Sequence, residues 1–424
     1  MMRCFKHFQQ FKSSWFLTIF VFCIVFFCHD TMMFGQNSNS LFMTIGKITP
    51  LVLSVLLIAA NVNKGFRLKN ILFASTIIIL QIISCLVHNE SVRNYIFVAS
   101  VVAVAFLLVS FYSFELIKKC FVNVVFALSL YSLFLWLICS LIPSFANVLP
   151  KSVNSNGMVF PNAVFSLVEY SARTNTFRNT SIFREPGVYA VYLSIAMIFS
   201  LSNAKNNYLH LVIFLLAMIT TFSTAGYILL ALLLSYYFLF KISSKYRFPI
   251  LLLFFLLIVV FSLTTDFLSP QGPLFSKFDS SSDTYGSFYA RLQSAKTDFK
   301  IFLSNPLFGI GRYGLYNLEN LGTEGINDRF IAVDNTNTIL IGFASYGLLY
   351  GLLTVFGLYL HCWNNSKLFF PSICLFLILA MSLSNEDITQ NPLLYMMIFD
   401  GLFNKEFRSI IIDRHGSIKT FSNE

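Results

Sequence analysis

Arg184-Glu185-Pro186-Gly187 is the sharpest concentration of reactive groups in the chain, a guanidinium and a carboxylate where an arginine-bearing polar loop meets an apolar run. Proline fits the first turn of a helix, because its missing N–H is not needed there. The stretch 176–190, TFRNTSIFREPGVYA, therefore reads as a loop that opens a helix at Pro186. An arginine at that point can clamp a diphosphate through its planar fork, helped by the positive end of the helix. Gly187 would let a ligand approach the backbone, and Arg178 is a second cation in the same loop. The plainer alternative has Arg184 anchoring the helix at lipid headgroups and Glu185 capping it.

Four later stretches could add to such a site. Arg291 could be a further cation against a pyrophosphate, or a solvated charge, or a partner for Asp298 seven residues on. Gly309-Ile310-Gly311-Arg312 is a short glycine turn, for which turn geometry alone is a sufficient explanation. Asp334-Asn335-Thr336-Asn337 stands before an apolar run, where Asp or Asn is a normal helix cap. Its functional alternative is to read sugar hydroxyls through Asn337, or to supply a base in Asp334. Ser223-Thr224-Ala225-Gly226 either turns one helix tightly into the next or places hydroxyls in a polar cavity. Lys47 and Asp400 read as side chains that snorkel to a membrane surface. There is no phosphate-binding loop, no G-x-S-x-G elbow and no His/Asp/Glu cluster with metal-ligand spacing, so neither cofactor nor metal is expected.

The elements that must hold these residues are membrane helices. Of the 424 residues 56% are hydrophobic and 11% charged, against about 25% charged in soluble chains. Runs near 15–28, 41–60, 71–87, 95–114, 121–142, 186–202, 208–224, 227–240, 249–265, 337–360, 368–384 and 391–403 approach the length of about 20 apolar residues that a span needs. The expectation is an all-α, polytopic helical bundle of about twelve transmembrane helices in a single domain, 1–424. Lys and Arg collect in alternate connections (Lys64/Arg67/Lys69, Lys118/Lys119, Lys241/Lys245/Arg247) and in the C-terminal tail, which puts both termini in the cytoplasm. The net charge of +10 follows this pattern rather than clustering on a soluble face, so nucleic acid is not an expected partner. None of the eight cysteines lies in a long polar loop, and no disulfide framework is read. The N-terminus, basic before Trp15, reads as an uncleaved first helix.

Two long external loops remain, 143–185 and 266–336, and long loops in compact proteins are usually functional or disordered. Within the second, Phe288, Leu292, Ala295, Phe299 and Phe302 recur at helical spacing, which predicts an amphipathic helix near 288–303, lying on the membrane or over the bundle.

Three passages in this order resemble the O-antigen polymerase and ligase superfamily of bacterial envelope enzymes. SIFREPGVYAVYLSIAMIF, which includes Tyr189, is similar to the family's F-x-E-P-x-x-Y/L-A segment, and ITTFSTAGYILLALLLSYY to its T-x-S-x-x-G pair. RLQSAKTDFKIFLSNPLFGIGRYG followed by DNTNTILIGFASYGLLYGLL is similar to its R…P-x-x-G-x-G…(H)N-x-x-L…G-x-x-G passage. The resemblance covers roughly 176–353. It implies a metal-independent glycosyl transfer at the periplasmic face of the inner membrane, from a glycan on undecaprenyl pyrophosphate to a lipid-linked repeat unit. It also implies membrane lipid and a chain-length regulator protein as partners. On the matching positions Arg184 and Arg291 would hold the diphosphate, with Arg178 in reserve. Glu185 or Asp334 would be the base, and Gly187, Tyr189, Gly309, Gly311 and Asn337 would line the substrate. The family's ligases carry a His where this chain has Thr336, which argues for polymerase over ligase; many members also carry an Arg where this chain has Thr224-Ala225. A ligase, or a flippase or other transporter, is the alternative. Transporters favour internal repeats and midplane charges, and neither is read here.

Overall fold

The computed structural model describes residues 15–35, 40–62, 65–153, 159–171, 176–201, 207–241, 285–315 and 336–403. The span expected at 249–265, and most of the second long loop with Asp334, lie outside them.

The chain begins with α1 (Trp15–Phe26), the single turn α2 (Met32–Gly35), α3 (Ser40–Ala60), α4 (Leu68–Val87), α5 (Val92–Phe111) and α6 (Phe114–Leu141). A short α7 (Phe145–Val148) leads into strands β1 (Lys151–Val153), β2 (Val159–Pro161), β3 (Leu167–Ser171) and β4 (Thr176–Ser181). Helices α8 (Pro186–Leu201), α9 (Tyr208–Thr220), α10 (Thr224–Phe240) and α11 (Tyr285–Ser304) follow. The chain closes with α12 (Thr338–Tyr346), α13 (Leu348–Ser366), α14 (Phe369–Leu383) and α15 (Pro392–Phe403).

A helix that is apolar all round has no polar face to give to water and must be buried or lipid-facing. Both outcomes occur. Every residue of α8 is buried, and so is every residue of α15 except Asp400, so these two form the inside of the bundle. By contrast α3 and α4 leave Leu41, Val55, Leu72 and Ile79 about half exposed or more. Among the described residues, α4, α6 and Leu41–Ala60 of α3 can each cross a membrane by length and composition, and seven further apolar helices are shorter.

Two differences from the sequence expectation bear on the site. The run 337–360, expected as one span, is broken at Gly347 into α12 and α13, with φ 84° at that glycine. The freed backbone groups are met by the glycine turn that follows α11. Ile310 N–H donates to Ala344 O at 2.9 Å, Gly311 N–H to Ser345 O at 3.1 Å, and Leu348 N–H to Pro306 O at 2.7 Å. A broken helix at membrane depth is tolerated where protein re-satisfies it in this way. The all-α expectation also needs correcting, because the first long loop folds into two antiparallel two-stranded sheets, β1–β2 and β3–β4. Strand β4 alternates enough to bury Phe177 and Asn179 against α6, where Trp136 Nε1 donates to Phe177 O at 2.7 Å. Across the β3–β4 hairpin, Glu169 faces Arg178.

Helix α11 covers the stretch read as amphipathic, with its polar face turned inward and its apolar face outward. Ser294, Thr297, Asp298 and Ile301 are buried against the bundle, while Leu292 (43%), Phe299 (50%) and Leu303 (60%) are exposed. Arg291, one turn before Ser294, belongs to the inward polar face.

Candidate functional site

The N-terminus of α8 is where the chain's distant charges meet. Pro186 starts the helix, and Arg184 is held just before it because its N–H donates to Asp30 O at 3.1 Å, beside a bridge between Thr31 and Phe183. The Arg184 guanidinium then reaches the loop between α14 and α15, where Nη2 lies 3.4 Å from Glu386 Oε2. Arg291, from α11, approaches the other oxygen of the same carboxylate, Nη2 to Oε1 at 3.4 Å. Glu386 is thus shared by two arginines 107 residues apart in sequence, and it is only 3% exposed. Its backbone is pinned as well: Thr338 Oγ1 donates to Glu386 O at 2.5 Å and accepts from Ile388 N–H at 3.0 Å.

Gly187 explains how the carboxylate gets so close to the helix. A Cβ at this position would stand 2.6 Å from Glu386 Oε1 and 3.5 Å from Arg291 Nη2. The backbone N–H groups of a helix N-terminus favour an anion, and here the internal anion is Glu386. Burial, with Glu185 close by, pushes the Glu386 carboxyl up to about 7 against the pull of Arg184 and Arg291. For Arg184, burial works against the charge, but Glu386 and Asp30 outweigh it and hold the guanidinium above its ordinary value. Arg184 Nε is buried and has no acceptor among the described residues. The cluster therefore combines two guanidiniums, a helix N-terminus, an unspent buried donor and a carboxylate poised near neutrality.

Beneath it lies a second polar layer. Asp30 Oδ2 accepts from Tyr192 OH at 2.7 Å and Asn391 Nδ2 at 2.8 Å, with Asn391 also bonded to the Tyr192 hydroxyl. Burial raises the Asp30 carboxyl above its usual range, opposed by Arg184 and those two hydrogen bonds. Burial lowers the neighbouring His29 to about 4, and the Arg184 charge adds to the effect. A third group braces the glycine turn. Arg312 is 1% exposed and donates to Asp387 Oδ2 at 2.8 Å and Thr389 Oγ1 at 2.5 Å. Glu90 accepts from Gly314 N–H at 2.6 Å and from the Tyr95 hydroxyl, which itself accepts from Arg312 N–H at 3.1 Å. Asp387 and Glu386 are adjacent, so the turn after α11 and the arginine cluster are tied to one loop.

The residues singled out from sequence distribute unevenly about this centre. Arg184, Arg291 and Gly187 converge on it, and Arg291 takes Glu386 rather than Asp298 as its ion-pair partner. Glu185 is exposed at its mouth and stands just before α8, its carbonyl accepting from Tyr189 N–H at 3.2 Å. Arg178 is engaged elsewhere, on Glu169 at 3.3 Å and on Thr221 O at 3.2 Å. Tyr189 is buried among the α6 hydroxyls, 2.9 Å from Ser129 Oγ and 3.2 Å from Ser132 Oγ. Asn337 caps α12, accepting from Leu340 N–H at 3.0 Å. Gly309 and Gly311 hold φ of 64° and 82° in the turn that receives the end of α12, and Gly311 leaves the room that Glu90 fills. Asp334 lies outside the described residues.

Residues 209–336 match the family model described as O-Antigen ligase. That match supports a place for the chain in the O-antigen polymerase and ligase superfamily. No curated protein matches the chain. With its apolar helices, the match makes this a multi-pass helical membrane protein. Arg291 and the glycine turn fall inside the matched residues; Arg184 and Glu386 fall outside them.

Sequence reading missed Glu386, Asp387, Asp30 and His29. The available signal was modest: Asn385-Glu386-Asp387 is an adjacent acid pair in a very short connection between two apolar helices, on the side assigned to the long loops. Acids in such a place are expensive unless paired, and that expense marks them.

Proposed function

We propose that this protein is a glycosyl-transferring enzyme that polymerises lipid-linked saccharide units at the external face of the bacterial inner membrane, using undecaprenyl pyrophosphate as the leaving group. The observation that carries the reading is the convergence of Arg184 and Arg291 at the α8 N-terminus, with Arg184 Nε still unspent. In the proposed reaction an acceptor sugar hydroxyl attacks the anomeric carbon of the donor, and the bond from that carbon to the diphosphate oxygen breaks. The departing diphosphate gains negative charge, and preorganised cations are the groups that stabilise such charge most. Arg184 and Arg291 take that role. The hydroxyl proton passes to a carboxylate at the mouth, Glu185 being the exposed one. Glu386 is the resident counter-ion that keeps the two arginines together before the donor arrives.

Ligation of the finished glycan to a lipid acceptor is the second reading, favoured by the description of the matching family. Thr336, at the place where the family's ligases carry a histidine, supports polymerisation. A lipopolysaccharide gel of the host lacking this gene separates the two. A ladder reduced to core plus one unit is the expected result, and restoring wild-type protein but not Arg184→Ala should restore the ladder. Loss of every rung, the single-unit band included, would replace polymerisation by ligation, and a normal ladder with Arg184→Ala would overturn the site.

A further inference from the structure

Helices α4, α5 and α15 have one end against the glycine turn and the polar layer beside the arginine–glutamate site, and enclose an open cavity of about 500 Å³ at the other. Their directions establish the two ends. Helix α4 finishes at the site, where Ser84 Oγ contacts Phe308 O and Ser345 O, and it begins at the cavity with Arg67 and Asn70. Helix α5 starts at the site, where Tyr95 meets Arg312, and ends at the cavity with Ser110. Helix α15 likewise runs from Asn391, under the site, to Asp400 and Phe403 in the cavity wall. A 20-residue helix spans about 30 Å, the thickness of a bilayer core. The two polar places therefore stand at opposite faces of the membrane.

The cavity has a positive pole and a negative one. At the positive pole is the exposed Arg67, at the start of α4, with Ser113 at the start of α6. Neither N-cap side chain makes a capping hydrogen bond, and although the N–H groups of Asn70 and Leu116 turn back to the Arg67 and Ser113 carbonyls, the leading N–H groups of both helices favour an anion. At the negative pole is Asp400, 13% exposed and fixed by its Oδ2, which lies 2.6 Å from Nδ1 of the fully buried His361. His361 is held in turn by Asn365, whose Oδ1 accepts from Lys118 Nζ at 2.9 Å. That leaves the second Asp400 oxygen for a ligand, beside the rings of Phe66, Phe114 and Phe403, whose faces attract cations. Exposed Leu68 (72%) and Leu72 (57%) continue outward from the cavity on α4, a surface suited to acyl chains.

We infer that this cavity binds the phosphoethanolamine headgroup of a membrane aminophospholipid, in the leaflet opposite the catalytic site. The phosphate sits between Arg67 and the two helix N-termini, and the primary ammonium donates to Asp400. A headgroup with phosphate but no amine meets only the positive pole, and a quaternary amine cannot donate to the carboxylate.

The test uses purified full-length protein, stripped of lipid in detergent, with binding read by native mass spectrometry and by thermal unfolding. Dioleoyl phosphatidylethanolamine is expected to bind about tenfold or more tightly than the phosphatidylglycerol or phosphatidylcholine of the same chains, the factor that one charge-assisted hydrogen bond brings. Water-soluble phosphoethanolamine should compete with it. Asp400→Asn keeps an oxygen toward His361 and should bring the three lipids to parity. Arg67 is exposed, so Arg67→Glu folds whatever Asp400→Asn does, and it should weaken the ethanolamine lipid at least as much. Equal binding of the three lipids by wild type would show an unselective acyl groove and overturn the inference. Full preference retained in Asp400→Asn, or unchanged binding in Arg67→Glu, would overturn it too.

Discussion

Replacing Glu386 by Gln tests whether this carboxylate stands in for the anionic leaving group. The amide keeps the shape of the side chain and removes its charge. In wild type the trio Arg184, Arg291 and Glu386 carries a net +1 with the carboxylate ionised and +2 with it protonated. A diphosphate seated on the two guanidiniums would lie roughly 6 Å from the carboxylate. At that separation, in an effective dielectric of about 20, two unit charges repel by about 3 kcal/mol, or about a hundredfold in affinity. Because burial pushes Glu386 up to about 7, the change falls near neutrality. The sign follows from linkage: an anion favours the protonated carboxyl, so binding takes up a proton. Donor affinity is therefore highest below about pH 7 and falls as pH rises through it. Glu386→Gln fixes the trio at +2, so it should bind donor up to about a hundredfold more tightly than wild type at pH 8, with little pH dependence. The two guanidiniums lose their buried counter-ion, which should destabilise the fold by about 3 kcal/mol. KM for a lipid-diphosphate donor, measured on purified protein from pH 6 to 8.5 with a thermal melt at each pH, reads both effects. A variant that keeps the wild-type slope, or binds donor more weakly at pH 8 while folded, would refute the reasoning.

Gly187→Ala places a methyl 2.6 Å from Glu386 Oε1, and such overpacking costs about 1–3 kcal/mol; polymer in a complementation gel should fall to background while membrane insertion is normal. Arg312→Met strips Asp387 of a buried partner at 2.8 Å and should destabilise by about 3 kcal/mol. A denaturation cycle that adds Asp387→Asn should show the two substitutions to be strongly non-additive. His29, lowered to about 4, stays neutral in the folded protein while the unfolded chain takes up a proton below about 6.5. The His29 contribution to stability should accordingly fall by about 3 kcal/mol as pH drops from about 6.5 to about 4, opposite in sign to that of Glu386, and the difference between wild-type and His29→Asn thermal melts across this range reads it.

The sequence was most informative where one physical rule dominates. Pro186 marks the start of α8 to the residue, because proline's lost N–H is harmless only in that first turn. It was least informative at Gly347. The apolar run from Thr338 onward satisfies every local requirement for one long helix, and the break depends on a turn at 309–311 that supplies the donors the α12 carbonyls need. Asn337 was read both as a cap and as a sugar contact, and its geometry is that of a cap. The first loop hid its hairpins for a similar reason. Strands of three to six residues are too short for alternation to stand out, and β4 is settled by packing on α6.

Helix α11 carries the broader lesson. Periodicity identified its two faces correctly, with Leu292 and Phe299 on one and Arg291 and Asp298 on the other. What periodicity cannot convey is the medium that each face meets. In a water-soluble protein the apolar stripe turns inward, because water is the outer solvent. Here the exposed Leu292, Phe299 and Leu303 suit lipid, and the inward stripe of Arg291, Ser294 and Asp298 lies over a polar centre. Intramembrane charges persist only when something inside pairs with them. Once the outer solvent is taken to be lipid, the polar face of α11 must find its partner within the bundle. Glu386, which meets Arg291 while its neighbour Asp387 meets Arg312 of the following turn, is what it finds.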